Sequence, residues 1–74
     1  MSRKNVMETI REILDNDKNI ICSIQEGNMG GVYYRNLRIV NGEISQTITN
    51  TSLLNNKNYE SFQICPFVWK HIKK

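Results

Sequence analysis

The residues of this chain best suited to chemistry are one histidine and two cysteines, His71, Cys22 and Cys65. A cysteine nucleophile needs a base within hydrogen-bond reach and a further group that orients that base. Cys65 and His71 are close in sequence, but Pro66 and a turn separate them and leave their geometry undefined. Zinc sites use four ligands, usually in paired spacing, and these residues supply at most three, unpaired. We therefore predict no catalytic or metal site here.

The acidic residues give no better basis for catalysis. Most of them fall on the predicted N-terminal helix or the turn that follows it, and Glu26 and Glu43 fall at strand ends. Their spacing does not place two carboxylates on facing walls of a cleft, as acid–base catalysis by a carboxylate pair requires. The sequence therefore predicts a protein that is not an enzyme and that holds no cofactor.

The two cysteines lie far apart in the sequence, and no secretory segment precedes them. The N-terminal residues carry charges among their apolar positions and lack the continuous apolar core of a signal peptide. No stretch approaches the roughly 18 apolar residues that a membrane-spanning helix needs. We expect a cytoplasmic protein without a membrane partner, in which Cys22 and Cys65 are reduced and structural.

The formal net charge of +3 makes nucleic acid an alternative partner. The basic excess is concentrated at the ends of the chain, in Arg3 and Lys4 and in Lys70, Lys73 and Lys74. Charge placed in this way is typical of solvated termini, but it also attracts acidic surfaces such as nucleic acid.

A predicted polar sheet face adds Tyr34, Asn36 and Arg38 to this alternative. Aromatic and cationic side chains on a sheet stack the bases of single strands and neutralise their phosphates. Tyr34 is the one aromatic residue predicted on that face, however, and no RNP-type run is present. RNA or single-stranded DNA therefore remains the second choice of partner.

A protein is the preferred partner. A chain of this length buries only about 60% of its unfolded surface, so contact with another chain would stabilise it. Open sheets also have edges that need covering, and strand addition is a common way of covering them. We predict a small adaptor, regulator or inhibitor that binds a protein through its sheet edge or its aromatic and basic C-terminal region, and a homodimer is compatible with this. The predicted contact residues are Tyr34, Arg35, Arg38, Trp69 and Lys70.

A predicted hairpin over residues 32–49 positions most of these side chains. Asn41-Gly42 separates two β-prone runs and predicts a type I′ turn, because both central positions of that turn need positive φ. The turn places Arg35 opposite Ile48 on the more apolar face. Arg35 is predicted either to extend to solvent at the edge of the sheet or to contact a ligand or partner.

The remaining elements follow from periodicity and from helix-capping and strand-breaking residues. Apolar residues at helical spacing predict a helix over residues 6–15, capped by Asn5. Strands are predicted over residues 19–26 and 59–65, and Pro66 ends the second of them. The segment after Pro66 is predicted to be a short helical turn or an edge strand, with a slight preference for the helical turn because proline suits a first helical position.

These elements predict one α+β domain over residues 1–74. The preferred architecture is an N-terminal helix packed on a three- to four-stranded antiparallel β-meander. The same order of elements also fits a small barrel of the Sm or SH3-like type, and this alternative stays open.

Overall fold

The computed structural model describes residues 5–74, which form one α-helix and a five-stranded antiparallel sheet. The elements are α1 (Val6–Asn16), β1 (Ile20–Asn28), β2 (Gly31–Val40), β3 (Glu43–Thr49), β4 (Tyr59–Cys65) and β5 (Val68–Lys73). The predicted α+β class is confirmed, and the sheet is not closed into a barrel. Arg3 and Lys4, which contribute to the predicted basic excess, lie outside the described residues.

The helix α1 begins at a side-chain cap and packs through one stripe. Asn5 accepts a hydrogen bond from the Glu8 backbone N–H at 2.8 Å, which satisfies one of the free donors of the first turn. Ile10 and Leu14 are fully buried against the sheet. The predicted helix is confirmed to within one residue, although its first apolar residue, Val6, remains 42% exposed.

The β2–β3 hairpin has the predicted turn and register. Asn41 and Gly42 have φ values of 53° and 80°, as a type I′ turn requires. Arg35 lies opposite Ile48 in the paired strands, as predicted. Successive side chains in these strands point alternately to two faces of the sheet. We call the face that packs against α1 the helix face.

The C-terminal segment corrects the prediction of a helical turn or an edge strand. It is β5, an internal strand paired with β1 on one side and β4 on the other, in a sheet of order β3-β2-β1-β5-β4. Pro66 and Phe67 form a two-residue turn, and Phe67 has a φ of 67°. Because this turn reverses the chain, the residues after Pro66 continue as a strand, and the sheet has one strand more than the meander predicted.

A long connection crosses the sheet between its two edges. The strands β3 and β4 lie at opposite edges and run parallel, so residues 50–58 must span about 19 Å across the sheet. Part of this crossover connection, Leu53–Asn55, is a short 3-10 turn that contacts β4. Since α1 covers one face of the sheet, we call the opposite face, which carries Ser23, Asn36 and His71, the crossover face.

The apolar core lies between α1 and the helix face of the sheet. Its buried members are Ile10, Leu14, Ile20, Cys22, Leu37 and Val68. They come from α1 and the three central strands β2, β1 and β5, whereas β3 and β4 contribute only partly buried side chains. The two edge strands are therefore the least covered parts of the sheet.

Candidate functional site

A histidine held between two serines is the most concentrated polar cluster of the crossover face. His71 lies on β5, so both neighbouring strands can reach its ring. Its Nε2 is 2.7 Å from Ser23 Oγ of β1, and its Nδ1 is 2.7 Å from Ser61 Oγ of β4. His71 and Ser23 are 0% and 1% exposed, and Ser61 is half-buried. The imidazole thus bridges three strands.

The protonation of this ring follows from its surroundings. A neutral imidazole donates through one nitrogen and accepts through the other, so one serine accepts from His71 and the other donates to it. Burial lowers the pKa of His71 from its ordinary value of 6.5, because desolvation disfavours the charged ring. His71 is therefore neutral at neutral pH.

The spacing of Ser23 and His71 resembles that of a nucleophile and its base, but burial argues against that role. At 1% exposure, Ser23 Oγ offers no approach to a substrate. The second ring nitrogen also meets a serine, whereas a catalytic histidine is commonly oriented by a carboxylate that stabilises the imidazolium. The arrangement is that of a buried polar network joining strands.

Sequence reasoning missed this cluster. The strands predicted over residues 19–26 and 59–65 contain Ser23 and Ser61, but these serines meet His71 only because β5 inserts between β1 and β4. The available signal was a small polar residue in the middle of each strand, at the position that alternation directs away from α1. That signal is weak, since serine is also common on solvent-exposed sheet faces.

A second polar side chain lies beside this network. Asn36 on β2 is directly opposite Ser23 and is 8% exposed. Its Oδ1 is buried and has no hydrogen-bond partner among the described residues. Such an atom typically costs about 1–3 kcal/mol relative to a satisfied one. The crossover face therefore combines a satisfied histidine with an unsatisfied amide.

The structure divides the predicted contact residues between the two faces of the sheet. Tyr34, Arg38 and Trp69 lie on the crossover face, and Arg35 and Lys70 lie on the helix face. Tyr34 and Trp69 are half-buried, and β1 separates their strands, whereas Arg38 is exposed. The five residues do not form one patch.

The two cations of the helix face already have partners within the chain. Arg35 Nε is 2.8 Å from a Glu26 carboxylate oxygen, and its Nη1 donates to Gln46 at 3.1 Å. The Lys70 ammonium lies 5.5 Å from the centre of the Phe62 ring, within cation–π range. The position of Arg35 on the apolar face is thus explained by contacts with neighbouring strands.

The charge of the described residues is close to balanced. Removing Arg3 and Lys4 from ten basic residues leaves eight, against seven acidic residues, all of which are described. Two thirds of the formal charge therefore comes from two residues outside the described part. The sheet itself offers little of the positive surface on which nucleic-acid binding depends.

The two thiols differ in their surroundings. Cys22 is fully buried, and burial raises its pKa to about 11. Cys65 is half-buried and lines an apolar cleft of about 270 Å³ with Val6, Ile10 and Ile64. Both are free cysteines, and residues 5–74 contain no group of three potential ligands that could hold a metal ion.

The two sheet edges differ in how well they are protected. Natural edge strands carry bulges, prolines, charges or covering segments that prevent pairing with other chains. The strand β4 has a bulge between Gln63 and Cys65, is followed by Pro66, and is contacted by the 3-10 turn. The strand β3 has an unbroken register with β2, and neither lysine nor proline occurs along it. The β3 edge is therefore the better candidate for an interaction site.

Comparisons of the chain with protein-family models, curated proteins and solved structures find no match. Within residues 5–74, no helix is long and apolar enough to cross a membrane. Functional inference therefore depends on the geometry described above.

Proposed function

We propose that this chain is a small non-catalytic interaction protein that binds a protein partner by strand addition to β3. The supporting observation is the difference between the edges, because β4 carries protective features that β3 lacks. Adaptor, regulator and inhibitor roles all fit such a binding surface. Two free cysteines fit the reducing cytoplasm, which we propose as its location.

The β2–β3 turn defines which backbone groups a partner strand would meet. In a two-residue turn, Val40 and Glu43 form a hydrogen-bonded pair. Hydrogen-bonded and non-hydrogen-bonded pairs then alternate along an antiparallel ladder. Ile44, Gln46 and Ile48 therefore direct their N–H and C=O groups away from β2. These are the donors and acceptors that an added strand would engage.

The side chains at this edge also favour contact with a protein. Ile48 is 55% exposed, and Ile44 lines a cleft with α1 residues that include Met7, itself 41% exposed. Charge along β3 is limited to Glu43 at its start. An extended segment with apolar residues at alternate positions would cover these isoleucines while completing the ladder.

The test is a proline at an outward-facing position. Gln46→Pro removes an N–H that β2 does not use and places a ring on the open edge, whereas Gln46→Thr keeps the N–H and suits a strand. Immobilised protein would be exposed to an extract of the cells that produce it. We expect capture of a partner by the wild type and by Gln46→Thr, and loss of capture by Gln46→Pro.

Two controls keep this experiment decisive. Circular dichroism and thermal melting must show that Gln46→Pro is folded, and Ile48→Lys supplies a second edge-blocking variant without a backbone change. Hydrogen exchange on the complex should slow at Ile44, Gln46 and Ile48. Capture that survives both blocking variants would contradict the β3 assignment.

Nucleic acid is tested in parallel by a mobility shift with mixed RNA and DNA. Binding through phosphates falls steeply with salt as counterions are released. If a complex forms, weakens in this way, and is lost when Lys70, Lys73 and Lys74 are replaced by glutamate, the protein-binding proposal is wrong.

A further inference from the structure

We infer that the strand added to β3 is β3 of a second copy, paired antiparallel about a two-fold axis through Gln46. This inference rests on the proposed function and names the partner. The sequence of β3 is nearly symmetric about Gln46 in residue type. Ser45 and Thr47 flank it as small hydroxyl residues, and Ile44 and Ile48 lie one position further out.

The backbone geometry permits this pairing. A two-fold axis at Gln46 pairs that residue with itself and pairs Ile44 with Ile48 of the second copy. All three residues direct their free N–H and C=O groups outward, as the alternation of the β2–β3 ladder requires. Each pair can therefore exchange both hydrogen bonds. An axis at Ser45 or Thr47 would also allow reciprocal bonds, but it would pair Gln46 with Ile44 or with Ile48, so the two isoleucines would no longer lie opposite each other.

The side chains also match in this register. On the helix face, Ile48 of each copy lies opposite Ile44 of the other, where it adjoins the cleft between Ile44 and Met7. On the crossover face, Ser45 lies opposite Thr47, a pair of β-compatible hydroxyl residues. Pairing thus covers Ile48, which is 55% exposed in the single chain.

Charge does not oppose this arrangement. Glu43 is the only charged residue of β3, and it lies opposite Thr49 of the second copy. The two Glu43 residues are about 20 Å apart, since six residues at about 3.4 Å separate them along the strand direction. Their repulsion is weak at this distance in physiological salt. The two sheets can therefore join into one continuous sheet.

Self-association is measured first by sedimentation equilibrium over a wide concentration range. We expect a reversible dimer for the wild type and for Gln46→Thr. Gln46→Pro removes the central reciprocal bonds and should weaken the dimer at least about tenfold, which corresponds to 1.4 kcal/mol. Association unchanged by Gln46→Pro would overturn the inference.

Disulfide cross-linking tests the register. In the inferred pairing, residues 45 and 47 of opposite copies form non-hydrogen-bonded pairs with Cα atoms about 4.5 Å apart, which suits a disulfide. Two copies of residue 47 are about 8 Å apart, which exceeds the usual limit of about 7 Å. In a Cys65→Ser background, Ser45→Cys combined with Thr47→Cys should oxidise to a covalent dimer. Thr47→Cys alone should remain largely uncross-linked.

The outcomes separate this inference from the proposed function. Equal cross-linking by the single and double variants would refute the register. If the wild type stays monomeric at every concentration but β3 still captures another protein from extract, the second-copy inference fails and the proposed function stands. If neither occurs, both fail.

Discussion

Replacing His71 by leucine tests whether the Ser–His–Ser network stabilises the fold through its hydrogen bonds. The change removes the ring and leaves Ser23 Oγ and Ser61 Oγ without the partners that lie 2.7 Å away in the native structure. A buried polar group left unsatisfied costs about 1–3 kcal/mol. Ser23 is fully buried and Ser61 only half-buried, so we expect a loss of about 2–4 kcal/mol. Small domains have only about 5–15 kcal/mol of stability in total.

A matched variant distinguishes hydrogen bonding from packing. Combining His71→Leu with Ser23→Ala and Ser61→Ala removes every member of the network, so no hydroxyl is left unsatisfied. Replacing all partners with apolar groups is often close to neutral, and we expect the triple variant to recover most of the lost stability. A packing defect at position 71 would instead persist in the triple variant.

The pH dependence gives an independent measurement. The folded-state pKa of His71 lies below its ordinary value of 6.5, so the unfolded chain binds the proton more readily. The contribution of His71 to stability is therefore complete above about pH 6.5 and is lost as pH falls through the folded pKa. The slope cannot exceed about 1.4 kcal/mol per pH unit for one group. His71 is the only histidine in the sequence, which makes the assignment direct.

The assay is urea unfolding between about pH 8 and pH 5.5, above the ordinary range of carboxyl titration. Fluorescence of Trp69, the single tryptophan, and circular dichroism provide two probes. We expect wild-type stability to decline towards pH 5.5 and His71→Leu to lack this decline. A wild-type curve that is flat or rises over this range would refute the assignment of a buried neutral histidine.

Three further predictions concern turns and thiols. Phe67→Gly should raise the free energy of unfolding by about 1 kcal/mol, because glycine adopts a φ of 67° without strain and the Phe67 ring is already 60% exposed. A lower melting temperature would show that the backbone of Phe67 is not strained. Gly42→Val should lower stability by at least about 1 kcal/mol, since its φ is 80°, and an unchanged melting temperature would reject the turn assignment. Cys65 should react with a thiol reagent much faster than Cys22, because Cys22 is fully buried and its pKa is raised to about 11. Equal reaction rates measured by mass spectrometry would disprove this prediction.

The elements that depend on nearby residues could be predicted from the sequence. Asn5 caps α1 through a residue three positions away, and Asn41 and Gly42 reverse the chain with φ values that those two residue types tolerate. The hairpin register then follows, because shifting it by one residue would exchange apolar and polar faces. Such features need no knowledge of the tertiary fold.

The elements that depend on distant pairing could not be predicted. Pro66 indicated a turn, but Phe67 occupies a position where positive φ normally indicates glycine, so nothing in the sequence marked this turn as a tight reversal into another strand. The strand β5 lies between β1 and β4 and so pairs with a strand from early in the chain. Ser23 and Ser61 reach His71 because of this pairing. The contrast between the two edges likewise emerged only when β3 and β4 were known to be the outermost strands.

The pairing of the last strand with the first has a consequence for biosynthesis. A ribosome releases β1, β2 and β3 before β5, so the nascent chain exposes one long side of β1 until β5 has also emerged. The core cannot close before that moment, because Val68 is one of its buried members. Folding of the domain therefore waits for β5, and the β1–β5 pairing between residues distant in sequence makes it slower than folding driven by local contacts alone. Before β5 pairs, the strand edge exposed to aggregation is that of β1, at the centre of the future sheet. After β5 has paired, the exposed edge is that of β3.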